Sequence, residues 1–121
     1  MFTQKTTLII PTRNRPYFLL KLLKNLKNLK IKFKEIIIID SSNKEIKIKI
    51  NNIIKNFNCK IYHSKPSTSL QRNIGLKNKD KRSKNIMFLD DDIIFKKNSF
   101  LNLHKKIVFH EKNKSKILGY G

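Results

Sequence analysis

Four consecutive isoleucines, Ile36–Ile39, constrain the fold of this 121-residue chain more than any other feature. A continuous apolar run of this length is typical of a strand that is buried on both faces, as in the interior of a parallel sheet. The run stops at the polar stretch Asp40–Asn43. The sequence therefore predicts an interior strand over 36–39, with a loop at its carboxyl end.

Shorter apolar runs and helical patterns alternate along the rest of the chain. Further strands are predicted at Thr7–Ile10, Lys60–His63, Asn85–Leu89 and Lys116–Tyr120. The first of them is expected to close at Pro11, because proline cannot continue a ladder of hydrogen bonds. Helices are predicted from Pro16 to about Asn28, over 44–57, from a cap at Ser67 or Thr68, and from a cap at Asn98 or Ser99.

The segment 44–57 is ambiguous, because its isoleucines alternate at first and then follow a helical face; we interpret it as a helix. The order β-α-β-α-β-α-β-α-β predicts one α/β domain over residues 1–121. Its sheet is expected to be mostly parallel, doubly wound and Rossmann-like, with helices on both faces. In such sheets, ligands bind beyond the carboxyl ends of the strands.

The chain is strongly basic, with 28 Lys and Arg against 8 Asp and Glu and a net charge of +20. Of the basic residues 24 are lysines, and Lys, Asn and Ile together make up 57 of 121 residues, so a codon bias towards A and T explains much of the excess. Nucleic-acid binding is disfavoured, because base readout uses bidentate Arg. Anionic lipid headgroups are the other partner that lysines favour.

The amino terminus carries no secretory signal, and no apolar run is long enough to span a bilayer. We therefore expect a cytoplasmic protein, with peripheral contact at the inner face of the cytoplasmic membrane as an option. The lone Cys59 has no cysteine partner for a disulfide or a metal site, and we expect it to be a small buried hydrophobic residue.

Four of the eight acidic residues lie at predicted strand ends, namely Asp40 and the triplet Asp90–Asp92. Side chains alternate along a strand, so Asp90 and Asp92 should project to one side and Asp91 to the other. Two carboxylates on one side suit Mg²⁺ or Mn²⁺. The alternative to a metal site is that the triplet forms an acidic turn that caps the next helix. For Asp40 the alternative to a ligand contact is a role in forming the turn before Ser41 and Ser42.

Three of the four arginines, Arg13, Arg15 and Arg72, lie in or beside the predicted ligand loops. The alternative to a role in ligand binding is that each arginine is simply a solvent-exposed residue of a loop or helix. The three histidines have no partners at metal-ligand spacing and are predicted not to bind metal. The sequence has no glycine-rich phosphate loop, no GxSxG and no CxxC, which disfavours the corresponding hydrolase, P-loop and redox classes.

Four segments together resemble family 2 glycosyltransferases of the GT-A fold. They are TLIIPTRNRPYFLLKLLKNL, EIIIIDSSN, SLQRNIGL and NIMFLDDDIIF, in the order that the family has them over residues 7–95. The last is similar to the strand that carries the family's DxD metal motif. The resemblance implies an enzyme that transfers a sugar from a nucleotide-diphosphate sugar to an acceptor hydroxyl, with inversion and with Mn²⁺ or Mg²⁺, in polysaccharide or glycolipid synthesis of the cell envelope.

The resemblance also implies roles for individual residues. Pro11, Thr12 and Arg13 would border the nucleoside, and Asp40 would contact the base or ribose. Arg72 would lie near the base or phosphates, and Asp90 would approach the ribose. Asp91 is included among the donor-binding residues, while Asp92, with Asp90, would bind the metal ion. The acceptor would be a glycan or a lipid-linked sugar.

The chain departs from the family pattern at two points. Many relatives have an acid where this chain has Ser41. The chain also ends at Gly121, so the sequence resembles the donor-binding half of a truncated GT-A domain, with the acceptor-binding half absent and the general base expected beyond Gly121. We identify no catalytic base within the chain, and a partner chain that completes the fold is one expectation.

Two further functions stay open on the sequence. A basic nucleic-acid-binding module would use the lysines and treat the aspartates as a capping turn. Another metal-dependent nucleotide enzyme, such as a nucleotidyltransferase, would share the metal site but consume a nucleoside triphosphate.

Overall fold

The computed structural model describes residues 2–97 and 117–120. A single 3₁₀ turn, Phe2–Lys5, precedes the first strand. In chain order the elements that follow are β1 (Thr6–Thr12), α1 (Pro16–Asn28), β2 (Glu35–Asp40), α2 (Lys44–Ile54), β3 (Lys60–His63), α3 (Thr68–Asn78), β4 (Asn85–Leu89) and β5 (Ile117–Tyr120). The helix predicted after Asn98 or Ser99 lies outside the described residues.

The five strands form one parallel sheet in the order β3-β2-β1-β4-β5. This order confirms the predicted Rossmann-like topology, because the chain moves outward from β1 in one direction and then crosses over to the other side. The ambiguous segment 44–57 is a helix, as predicted, and it ends at Ile54.

Alternate side chains of the strands form two separate cores. On one face Leu8, Ile10 and Ile38 pack against the apolar sides of α1 and α2. On the other face Ile9, Ile37 and their neighbours pack with Ile74 of α3. The predicted coverage of the sheet on both faces is therefore confirmed, and it explains why the isoleucine run has no polar alternation.

Strand β1 does not close at Pro11, as the sequence predicted, but continues to Thr12. The oxygen of Thr12 accepts a hydrogen bond from the backbone N–H of Ser41, so Thr12 faces β2 and the preceding Pro11 faces the side of β4. Pairing with β4 has already ended at Ile9 and Phe88. The missing N–H of Pro11 therefore removes no ladder bond, which is the condition under which a strand accepts proline.

Cys59 is half-buried against the core of the α1 and α2 face, and burial raises the pKa of its thiol to about 11. At neutral pH the thiol is protonated and unreactive, so Cys59 is a packing residue, as predicted.

Glu35 fixes the amino edge of the sheet, where β1, β2 and β3 begin. Its carboxylate accepts hydrogen bonds from Thr7 Oγ1 at 2.7 Å, from Lys60 Nζ at 3.0 Å and from the backbone N–H of Asp80. Burial raises the pKa of Glu35, but these three donors outweigh burial and hold the pKa below its usual range. The side chain is only 7% exposed.

We expect Glu35→Gln to lower the free energy of unfolding by about 1–3 kcal/mol at pH 7, because the three donors, the buried Thr7 hydroxyl among them, lose a charged acceptor. The folded-state pKa is depressed, so the contribution of Glu35 is present above the unfolded pKa and is lost as pH falls through the folded value. Urea unfolding between pH 3 and pH 7 should show the two proteins converging as pH falls. Glu45→Gln, which removes an exposed acid of α2, is the control; parallel curves for wild type and Glu35→Gln would contradict this assignment.

Candidate nucleotide and metal site

The loops that follow β1, β2 and β4 meet at the carboxyl edge of the sheet, as the sequence predicted. Asp40 lies opposite Thr12 in the register of β1 and β2, and His63 lies opposite Asp40 in β3. From the other side, Thr12 Oγ1 donates to Asp91 Oδ2 at 2.8 Å. The edge therefore brings together carboxylates from two different strand ends around Thr12.

Asp91 turns into the protein and is 6% exposed. Its carboxylate accepts the Thr12 hydroxyl and lies 3.3 Å from Arg15 Nη1. Burial raises the pKa of Asp91 above its ordinary value, more than Thr12 and Arg15 lower it. Asp91 thus ties the end of β4 to the loop after β1, and both of its oxygens already have protein partners.

The side chains of Asp90 and Asp92 are exposed, unlike that of Asp91. Strand β4 ends at Leu89 and the triplet lies in a turn, so this pattern of exposure does not come from strand alternation. Asp92 Oδ2 lies 3.8 Å from Arg15 Nη1, and its side chain is 50% exposed. No group of three or more His, Cys, Asp or Glu that could hold a metal occurs in the part of the chain that the structure describes. Two outward carboxylates still fit Mg²⁺ or Mn²⁺, because such ions are commonly held by one or two carboxylates together with substrate phosphates.

Asp40 is fully buried at the end of β2, with its side chain 0% exposed. Its Oδ1 accepts the backbone N–H of Ser42 at 3.1 Å and also the Ser42 hydroxyl. Its Oδ2 accepts no hydrogen bond from the described residues, although His63 Nδ1 lies 3.4 Å away. A buried carboxylate oxygen without a donor is costly. This oxygen has almost no accessible surface, so a ligand can reach it only when a neighbouring side chain such as His63 moves aside.

Ser41, where the family resemblance implied an acid in many relatives, is buried beneath this edge. Its backbone N–H donates to Thr12 O at 3.0 Å, and its hydroxyl lies 3.4 Å from the same oxygen. Ser41 therefore joins β2 to β1 and presents no charge to the site.

Asn14 locks the loop after β1 to the loop after β2. Its φ of 54° lies in the left-handed region, which Asn tolerates better than most residues. Its backbone N–H donates to Ser42 Oγ at 2.8 Å, and its Oδ1 accepts the N–H of Asn43 at 2.9 Å. Arg13, the first residue of the loop after β1, is exposed.

Helix α3 begins beside this edge, and its Ser67 cap accepts the N–H of Leu70. Gln71 is buried, and its side-chain Nε2 donates to Thr12 O at 3.1 Å and to Ile39 O at 2.8 Å. Arg72 is exposed, and its guanidinium lies 5.4 Å from the ring centre of Phe88. Gln71 thus supports the ends of β1 and β2 from below, while Arg72 is available to a ligand.

Several residues with side-chain contacts at this edge were not among the predicted site residues. Among those that contact the carboxylates or the strand ends are Arg15, Ser42, His63 and Gln71. Arg15 and Gln71 lie inside two of the motifs that carried the family resemblance, and His63 is a polar residue at a strand end. The rule that selected Asp40 could therefore have selected His63, whereas the inward direction of Gln71 has no local signal.

The comparison with protein families gives one match. The model described as glycosyl transferase family 2 matches residues 7–116. No curated protein matches the sequence significantly. None of the helices in the described parts of the chain is long and apolar enough to cross a lipid bilayer.

Solved structures share this fold at low sequence identity. S. aureus TarS 1-349 is 21% identical, with a TM-score of 0.65 over 88% of this chain and 33% of that chain. The same protein in complex with UDP-GlcNAc is 22% identical, with a TM-score of 0.64 over 88% and 32%. The 4-diphosphocytidyl-2C-methyl-D-erythritol synthase of Anaerococcus prevotii is 18% identical, with a TM-score of 0.68 over 88% and 52%. The chain thus spans about a third of the length of the TarS chains.

Proposed function

The chain belongs to glycosyltransferase family 2, and on this premise we propose that its carboxyl edge binds a nucleotide-diphosphate sugar whose sugar is transferred to an acceptor hydroxyl. The observation that carries the proposal is the meeting of Asp40 with the Asp90–Asp92 segment around Thr12. One end of this edge has a buried acceptor, which suits the base of such a donor, and the other has two exposed carboxylates, which suit its diphosphate through a divalent cation.

The nucleoside lies along Pro11, Thr12 and Arg13 in this proposal. Its base donates an N–H to Asp40 Oδ2, which accepts no hydrogen bond from the described residues, and His63 moves aside to admit the base. A base with a polar hydrogen is then favoured over one with an acceptor at the same position, because an acceptor would face a carboxylate oxygen.

The diphosphate lies between Arg72 and the pair Asp90 and Asp92, with Asp90 near the ribose. Arg13 and Arg72 are exposed and can contact phosphate oxygens without losing a carboxylate partner. Arg15 differs, since its guanidinium contacts both Asp91 and Asp92, and it acts as a positioning residue for that loop.

Asp90 and Asp92 would hold Mn²⁺ or Mg²⁺, which as a Lewis acid would stabilise the negative charge on the departing nucleoside diphosphate. Asp91 stays turned inward and keeps the two ligands at a fixed position on the loop. Inversion at the sugar, a glycan or lipid-linked acceptor, a cytoplasmic location and a cell-envelope role belong to the same proposal. Their support is the family membership alone.

The test is thermal unfolding with UDP, GDP or dTDP, each with and without Mn²⁺. A ligand at about 100 times its dissociation constant stabilises the folded state by roughly 2.7 kcal/mol. We expect one nucleotide to raise the melting temperature in a metal-dependent manner, and Asp92→Asn to remove the metal-dependent part. Asp80→Asn removes the same charge at the opposite edge of the sheet and should retain the shift relative to its own baseline.

A metal-independent shift, or a shift that Asp92→Asn retains, would contradict the proposed metal site. A nucleotidyltransferase is the second candidate, because the A. prevotii synthase shares the fold. It predicts a larger shift with CTP than with any nucleoside diphosphate. A nucleic-acid-binding module predicts salt-sensitive binding to DNA or RNA that Asp92→Asn leaves unchanged.

A further inference from the structure

A second concave surface lies at the amino edge of the sheet, opposite the candidate donor site. We call it the basal groove; it lies between the last turns of α1 and the segments 30–36 and 56–60, which lead into β2 and β3, and its volume is about 840 Å³. Strand β2 separates the two edges by about 17 Å, at roughly 3.3 Å per residue. No residue of the candidate donor site lines the basal groove.

The floor of the basal groove is apolar. Leu23 and Leu26 of α1, which are 2% exposed, and Ile31, which is 7% exposed, belong to the core and offer almost no accessible surface themselves. The apolar surface that a ligand can touch comes from the half-buried side chains of the lining, Phe33, Ile36, Phe57 and Cys59. The volume lies in the range of about 300–1,000 Å³ that is typical of sites for small ligands.

The rim of the basal groove is basic. Five lysines line it, namely Lys27, Lys30, Lys32, Lys34 and Lys60. Two of the described lining residues are acidic, and both already have cationic partners, Lys60 for Glu35 and Arg82 for Asp80. The rim therefore carries an excess of positive charge directly above an apolar floor.

The basic rim and the apolar floor of the basal groove together suit an amphiphilic ligand with an anionic head group. The flexible stems of lysine allow the ammonium groups to meet a phosphate while the stems stay on apolar surface. Nucleic acid fits less well, because the lining has no arginine for bidentate contacts and its aromatic rings are half-buried.

We propose that the basal groove binds an anionic phospholipid at a bilayer surface, with the headgroup phosphate against the lysines and an acyl chain against the apolar floor. This inference goes beyond the sugar-transfer proposal and does not depend on it. It also sets an orientation, because the candidate donor site then faces away from the bilayer. A lipid-linked acceptor would have to extend about 17 Å from the membrane to reach that site.

The first test is sedimentation with vesicles of phosphatidylcholine alone or mixed with phosphatidylglycerol. The groove variant is Lys27→Gln/Lys30→Gln/Lys32→Gln. The control variant is Lys44→Gln/Lys47→Gln/Lys49→Gln, which removes the same charge from α2. We expect binding only to the anionic vesicles, about tenfold weaker for the groove variant and within about twofold of wild type for the control.

Equal losses in the two variants would overturn the proposal, because they would show attraction of the whole +20 chain rather than a site. Absence of binding to phosphatidylglycerol vesicles by the folded protein would also overturn it. So would poly(U) binding that the groove variant loses while it retains vesicle binding.

The second test separates a lipid from a free anion. Dodecyl phosphate below its micellar concentration should raise the melting temperature of wild type but not of the groove variant, and inorganic phosphate at the same concentration should not. Equal shifts with the two phosphates would assign the lysines to a free anion and overturn the proposal. These outcomes are independent of nucleotide and Mn²⁺, so failure here leaves the donor-site proposal standing.

Discussion

Gln71→Glu is expected to lower the free energy of unfolding by about 3 kcal/mol or more at pH 7, although it replaces one atom. In wild type, the buried amide Nε2 donates to the oxygens of Thr12 and Ile39. An ionised carboxylate can donate to neither, and it faces two carbonyl dipoles in a site with little access to water. Loss of buried donors costs about 1–3 kcal/mol, and more where a charge is left uncompensated.

The pH dependence has a definite sign. Burial and the two carbonyls favour the protonated carboxyl, which can still donate one hydrogen bond, so the folded pKa of the new group is raised. The contribution of Glu at position 71 to the free energy of unfolding of the variant is therefore greatest below the pKa of the unfolded state. It is lost as pH rises through the pKa of the folded state. Urea unfolding at pH 4 and pH 7 measures this difference between Gln71→Glu and wild type.

Asn73→Asp is the matched control, because it makes the same change on the exposed side of the same helix. It should cost less than about 0.5 kcal/mol at either pH. If Gln71→Glu were as mild as this control, Gln71 would not support the two strand ends.

Local pattern was sufficient for the strands and helices because each must bury one apolar face or stripe. The run Ile36–Ile39 is typical of an interior strand, and its polar stop at Asp40 lies at the carboxyl edge of the sheet, as expected. Helix α2 was predictable despite its alternating isoleucines because Ile50 and Ile54, one turn apart, are its buried residues. The initial 3₁₀ turn and the position of Pro11 inside β1 were not predictable, since both depend on neighbouring strands.

The candidate site was predictable in its location but not in its hydrogen bonds. Alternation along a strand predicted that Asp90 and Asp92 would differ from Asp91; the exposure does differ, but in a turn after β4 rather than along a strand. The bond between Thr12 and Asp91 joins residues 79 positions apart, and that between Gln71 and Thr12 joins residues 59 apart. No local periodicity encodes contacts of this range, so the supporting role of Gln71 had to come from the fold.

Gly75→Ala is expected to destabilise the fold by about 1–3 kcal/mol, although alanine is the better helix former. A Cβ at position 75 would lie 2.6 Å from Ile9 Cγ2, and Ile9 is 0% exposed on the central strand. Helix propensity alone would favour alanine by about 0.8–1.0 kcal/mol, so a net loss of stability reports the clash between the new Cβ and Ile9.

Urea unfolding of wild type, Gly75→Ala, Ile9→Ala and the double variant forms the test. Removing the Ile9 side chain makes room for the new methyl group, so the double variant should be more stable than the sum of the single losses predicts. Additive losses, or a stabilising Gly75→Ala, would show that α3 can move away from the sheet and that Gly75 is not required for its close approach.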